Sequence, residues 1–214
     1  MAMTELTPSE RILLAEHRTL LPLVRDLPRA ALDAPTVCSA WSVLDILAHC
    51  GAALSCIARG VAYDSSPAGN ETQVLERRTW TVPAILDELE HGLLEAGAAI
   101  VASDGAWDGA ALGTWIHGGD IRAALGDAGA YASEGLHDAV TLLGASARVR
   151  DTPLAHVTLP DRTLELGSPV PGRAPATLRT DAPTLILLYS GRPADPGSYT
   201  LTGAEAAELV SQQW

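Results

Sequence analysis

The chain has 214 residues, of which 47% are hydrophobic and 19% charged, and a formal net charge of −12. That composition supports a sizeable core and excludes a disordered chain. The acidic balance excludes nucleic acid as a partner, because such binding needs Lys and Arg to neutralise phosphates, and no basic amphipathic stripe is offered to a membrane surface.

Thr7-Pro8-Ser9-Glu10 opens the first helix: Thr7 caps, Pro8 suits the first turn and Glu10 completes a capping box. Leu13, Leu20, Leu21, Val24 and Leu27 then recur at helical spacing, with His17 on the same face and Pro22 as a point of interruption. A second helix opens at Trp41-Ser42-Val43-Leu44-Asp45-Ile46, where Ser42 and Asp45 form a capping box and Trp41 and Ile46 a hydrophobic staple. Its apolar face runs through Leu47, Cys50, Leu54 and Ile57, with His49 beside it. Residues 63–70 read as a loop and a helical piece follows Asn70. Thr81 caps a long helix buried through Ile85, Leu89, Leu93, Ala96 and Ile100, which ends at Ser103-Asp104-Gly105.

Leu112 to Leu125 reads as a fourth bundle helix, stopped by Gly126. It carries Gly113, Gly118 and Gly119, and each mid-helix glycine costs about 1 kcal/mol relative to alanine. Close approach of another backbone or of a ligand would offset that cost. His117, Asp120 and Ala124 share a face with Gly113, and Ser133 to Arg148 is the next helix.

The pattern changes near Asp151. Short strands are expected at 155–159, 163–166, 176–179 and 198–202, with a helix from Asp181 to Tyr189 ended by Gly191. Thr202-Gly203-Ala204-Glu205 reads as the capping box of a last helix. The expectation is an α+β protein: an antiparallel four-helix-type bundle over residues 1–150 and a small α+β domain over 151–214.

Cys38, Cys50 and Cys56 form no CxxC pair, which points to a reducing, cytoplasmic setting rather than a disulfide framework. The start of the chain lacks the pattern of a signal peptide, and no stretch approaches the ~20 apolar residues of a spanning helix. There is no Walker A loop, no GxGxxG after a strand, no HExxH and no GxSxG elbow. The remaining chemical signal is His49 on one bundle helix and His117 on another, since bundle cores build metal sites from facing helices and imidazole suits zinc. Two hydrogen-bonded packing histidines would give the same pattern.

Three motifs carry a resemblance. Cys38-Ser39-Ala40-Trp41-Ser42-Val43-Leu44-Asp45-Ile46-Leu47-Ala48-His49, then Trp115-Ile116-His117-Gly118-Gly119-Asp120-Ile121, then Thr184 through Gly191-Arg192 together resemble the mycothiol-dependent maleylpyruvate isomerase family. The resemblance implies a DinB-like bundle and a sterol-carrier-like C-terminal domain. It implies a divalent metal, usually zinc, held by a histidine from the second helix and a Glu/His pair from the fourth, with mycothiol as thiol cofactor and a small electrophile as substrate. A thiolate that adds to an activated double bond permits isomerisation; without later expulsion the outcome is S-transfer.

The family's glutamate falls at Gly113 in this chain. His49 and His117 remain as metal ligands, and Asp120, His17 and Asp45 are candidates for the third, with Asp120 first because it sits one turn beyond His117. Each also has a plain structural role: Asp120 bonding an amide or arginine, His17 packed in the core, Asp45 capping with Ser42. His91 falls on the outer face of its helix, and His137 and His156 have no partner at ligand spacing. Cys50 and Cys56 read as small buried hydrophobes. Arg192 either binds an anionic part of substrate or cofactor or caps the helix before it. Two functions follow. One is a thiol-dependent, metal-assisted isomerase or S-transferase with catalytic residues His49, His117 and Arg192. The other is a metal-free descendant acting as a cyclase, isomerase or small-molecule binding protein in a biosynthetic or self-resistance pathway.

Overall fold

The computed structural model describes residues 5–38 and 40–210; Ser39, inside the first motif, lies outside them. The chain divides into two compact units, Met1–Gly135 and Leu136–Trp214.

The first unit holds α1 (Pro8–Arg25), the short α2 (Arg29–Leu32), α3 (Val43–Ala58), α4 (Pro67–Arg77), α5 (Val82–Ala102) and α6 (Asp108–Ala124). Two of the three expected capping boxes form here: Thr7 with Glu10 and Ser42 with Asp45. α1 runs on through Pro22, which is exposed, so water can serve the carbonyl that the missing N–H leaves unpaired. α4 starts three residues before Asn70, because Ser66 caps it and Pro67 takes the first turn. α6 starts four residues before Leu112.

α1, α3, α5 and α6 form the bundle, and their directions follow from the contacts. Glu10 lies against Gly97 and His17 against Glu90, so α1 and α5 run in opposite directions. Ser9 bonds Asp108 and Glu16 bonds Arg122, so α1 and α6 run the same way. Gly51 lies against Leu89 and Gly92 against Leu54, so α3 and α5 share the other direction. Two helices therefore oppose two, and α4 belongs to the crossover between α3 and α5. A Cβ on Gly92 would sit 2.7 Å from the Leu54 Cβ, which lets those helices pack closely around Leu47, Leu54, Leu89 and Leu93, all at most 1% exposed.

The second unit begins with α7 (Leu136–Ala145), shorter than the expected 133–148. The sequence predicts the change of architecture at 150, whereas the units divide after Gly135: α7 packs on α8 (Ala182–Ser190) and on β2 (Thr163–Leu166). Helical periodicity alone cannot tell which core a helix joins. The sheet has the order β2-β1-β3-β4, with β1 (Ala155–Thr158) antiparallel to β2 and parallel to β3 (Ala176–Thr180), and β4 (Tyr199–Thr202) antiparallel to β3. Gly191 ends α8 at φ +71°, a left-handed conformation that glycine adopts without steric cost. The expected last helix is a single 3-10 turn, Ala206–Leu209. Its capping box joins Glu205 to Glu208 rather than Thr202 to Glu205, because Thr202 still belongs to β4. No helix among the described residues is long and apolar enough to cross a membrane.

Candidate metal and thiol site

α3 and α6 bring the two expected histidines together. The rings of His49 and His117 stand at right angles with centroids 5.2 Å apart, and the Trp41 ring packs 4.8 Å from His49. His49 is 8% exposed and His117 3%. Burial, and then the neighbouring His117, push the pKa of His49 down to about 3, so its imidazole is neutral near pH 7. The Nδ1 atom of His49 is buried with no hydrogen-bond partner among the described residues.

Asp120 lies one turn beyond His117 on α6, and its Oδ2 is 2.9 Å from His117 Nδ1. The hydroxyl of Tyr131 donates to Asp120 Oδ1 at 2.5 Å. This contact explains one of the mid-helix glycines: a Cβ on Gly119 would lie 2.5 Å from the Tyr131 ring. A second closes on a different partner, since a Cβ on Gly118 would lie 2.5 Å from Glu16 Oε2 and 2.9 Å from Arg122 Nη1. Side chains, rather than a backbone, make these close approaches.

Cys38 completes the group. Its Sγ lies 3.5 Å from Asp120 Oδ2 and 4.0 Å from His117 Nδ1, and donor atoms of Cys38, His117 and Asp120 all lie within 4.8 Å of one another. The sequence offered Cys38 only as the first residue of a motif, and Tyr131 not at all. The signal for Cys38 was its place just before the Trp41 turn that delivers α3; nothing local marks Tyr131, whose role depends on the chain after α6 folding back.

The alternative third ligands are elsewhere. His17 faces Glu90, Nε2 to Oε1 3.5 Å, on the contact between α1 and α5. Asp45 caps α3 and takes two hydrogen bonds from Arg78, at 2.9 and 3.2 Å. His91 is exposed, His137 lies beside Arg162 and His156 beside Glu165. Cys50 is buried, which raises its thiol well above the ordinary value and makes it a poor nucleophile. Arg192 belongs to the second unit, is 7% exposed and donates from Nη1 to the Ser190 carbonyl at 2.8 Å.

Helical bundles can build ligand and metal sites from side chains gathered in their cores, and Cys38, His117 and Asp120 gather in this one. Residues 13–141 match the family model described as the mycothiol maleylpyruvate isomerase N-terminal domain, and the chain belongs to that family. Among solved structures, a crystal structure of the mycothiol-dependent maleylpyruvate isomerase is similar over 98% of both chains, with a TM-score of 0.61 and 16% identity. A histidine-to-alanine mutant of that isomerase matches over the same shares, with a TM-score of 0.59 and 16% identity. At that identity the likeness establishes the fold. No curated protein matches the chain in sequence.

Proposed function

We propose that this protein is a thiol-dependent, metal-assisted isomerase or S-transferase acting on a small electrophilic metabolite in the cytoplasm, with mycothiol as the thiol and zinc as the metal. The observation that carries the reading is the unpartnered, buried Nδ1 of His49 beside His117 and Asp120 in the family's own bundle. Two imidazoles and a carboxylate suit zinc, and three protein ligands are its usual catalytic set. His49, His117 and Asp120 would hold the metal. Bound there, the metal would stabilise a thiol cofactor as the thiolate, the nucleophilic form.

The chain's own residues prepare the place. Burial keeps His49 unprotonated near neutral pH, so one of its ring nitrogens offers a lone pair. Tyr131 occupies Oδ1 of Asp120 and thereby orients Oδ2 towards His117, the kind of outer contact that tunes a metal ligand. Trp41 covers the His49 ring, and its indole N–H is held by Glu71 at 2.9 Å, which restricts water on that side. Arg192 is assigned to an anionic group of substrate or cofactor on the strength of the Gly191-Arg192 ending alone.

One observation favours the metal-free alternative: the 2.9 Å contact between His117 Nδ1 and Asp120 Oδ2 satisfies both groups without an ion. The test is consumption or turnover of mycothiol with a panel of small electrophiles, maleylpyruvate first, before and after chelation. The proposal expects turnover that needs both thiol and metal and is lost in His117→Ala. Turnover, or ligand binding, unaffected by chelation and by thiol would establish the alternative.

A further inference from the structure

We propose that Cys38 is itself a metal ligand in this chain, a thiolate that makes up for the carboxylate missing at Gly113. The inference rests on the metal reading above and adds a donor that the reading does not contain.

Three observations carry it. The first is distance. Around a tetrahedral zinc with bonds of about 2.0–2.3 Å, neighbouring donors lie roughly 3.3–3.7 Å apart. The separations here are 2.9 Å for His117 Nδ1 to Asp120 Oδ2, 3.5 Å for Cys38 Sγ to Asp120 Oδ2 and 4.0 Å for Cys38 Sγ to His117 Nδ1. They bracket that range.

The second is direction. In a Cys-His-Asp relay the carboxylate takes one ring nitrogen and the nucleophile the other. Here both the Asp120 oxygen and the Cys38 sulfur approach Nδ1 of His117. That arrangement cannot pass a proton along a line; it points three donors at one place. The buried, unpartnered Nδ1 of His49, on a ring 5.2 Å from that of His117, is an independent sign that the group lacks a member.

The third is how Cys38 is held. It lies between α2 and α3, where the Trp41 N–H donates to the Cys38 carbonyl at 2.7 Å and the Cys38 N–H donates to the Thr36 hydroxyl at 3.2 Å. The same hydroxyl donates to the Trp41 carbonyl at 2.8 Å, and Pro35 bridges to Ser42. The main chain of Cys38 is thus tied on both sides to the turn that opens α3.

On binding, the Cys38 thiol gives its proton to solvent and the sulfur lone pair forms the bond to the metal. The thiolate restores the negative charge that a glutamate would have brought, and its softness favours zinc over magnesium or calcium. With His117 and Asp120, whose donor atoms lie within 4.8 Å of its own, it makes three protein donors, the usual catalytic set for zinc, with the His49 ring beside them. Cys38, half-buried where His117 and Asp120 are buried, is the donor an incoming thiol would displace.

Cobalt(II) replacing zinc in the full chain tests this by absorption. Wild type and Cys56→Ser should show the near-ultraviolet charge-transfer band of a cobalt–thiolate bond. Cys38→Ser should lose that band, keep weaker visible absorption and bind cobalt more than about tenfold less tightly. A band unchanged in Cys38→Ser, or cobalt bound by wild type without the band, overturns the inference and leaves the metal reading standing. Failure of wild type to bind cobalt or zinc at all overturns both. Should Cys38→Ser not fold, alkylation of wild type decides. Zinc should slow modification of Cys38 about tenfold or more, and leave Cys56 unaffected. Equal modification of Cys38 with and without zinc contradicts the proposal.

Discussion

α6 carries two buried polar groups on neighbouring turns, and they are built on opposite terms. Around Arg122 no buried polar atom of the described residues is left without a partner: Glu16 accepts at 2.9 and 3.2 Å and Thr19 at 2.8 Å, with side chains 5% exposed for Arg122 and 0% for Glu16. Burial outweighs the pull of the Arg122 guanidinium and raises the Glu16 carboxyl to about 7, and the pair joins α1 to α6. Around His117 the donors gather with one histidine nitrogen left over. A closed pair serves the fold, because an unmatched buried charge is costly. On the proposed reading, the converging set with its unmatched atom serves a ligand. The glycines divide in the same way: Gly118 makes room for the Glu16–Arg122 pair and Gly119 for the tyrosine that holds Asp120.

The comparison breaks first, if it is wrong, at the ion pair. Glu16→Ala should cost about 3–5 kcal/mol, because it leaves the buried Arg122 charge unpaired, and Arg122→Ala less, because Glu16 can take a proton, whereas replacing both by apolar residues of similar volume should recover most of the loss. Urea unfolding measures it; a Glu16→Ala loss under about 1 kcal/mol would show the pair to be incidental. Tyr131→Phe sharpens the other side. It keeps the ring against Gly119 and removes one hydrogen bond, at a cost of about 1 kcal/mol, while zinc affinity should fall about tenfold through the loosened Asp120. Unchanged zinc affinity would remove Tyr131 from the site.

The smallest effect expected is at Asp45, outside both groups. Burial opposes ionisation there, but the hydrogen bonds from Arg78 and Ser42 outweigh it and hold the carboxyl below its ordinary value. Its contribution is therefore present above the unfolded pKa, about 3.9, and is lost as pH falls through the lower folded value. Asp45→Ala should cost about 1 kcal/mol at neutral pH, a difference that shrinks to nothing in acid. A difference independent of pH would contradict the cap and pair as its source.

What could be read from the sequence follows from the range of the forces involved. Capping boxes at Thr7 and Ser42, the glycine stop at Gly191 and the short strands are local, and they stand where the residues placed them. The pairing of His49 with His117 was legible because each sits in a motif on its own helix. The assignment of α7 to the second unit was not, since one apolar face can serve either core. The last helix failed because a capping sequence at Thr202 competes with a sheet edge already paired to β3. Cys38 and Tyr131 reach Asp120 from 82 and 11 residues away, through turns whose geometry no spacing rule encodes. The cost of Gly118 and Gly119 was visible; the side chains that repay it were not.

The central claim is that the set around His117 binds a metal while the set around Arg122 only holds helices together. Zinc titrated calorimetrically into chelator-treated wild type and His117→Ala tests it directly. The account predicts one zinc bound per wild-type chain, and binding weakened by more than about tenfold in His117→Ala with its far-ultraviolet circular dichroism unchanged. Equal binding by the two proteins, or none by wild type, would contradict it.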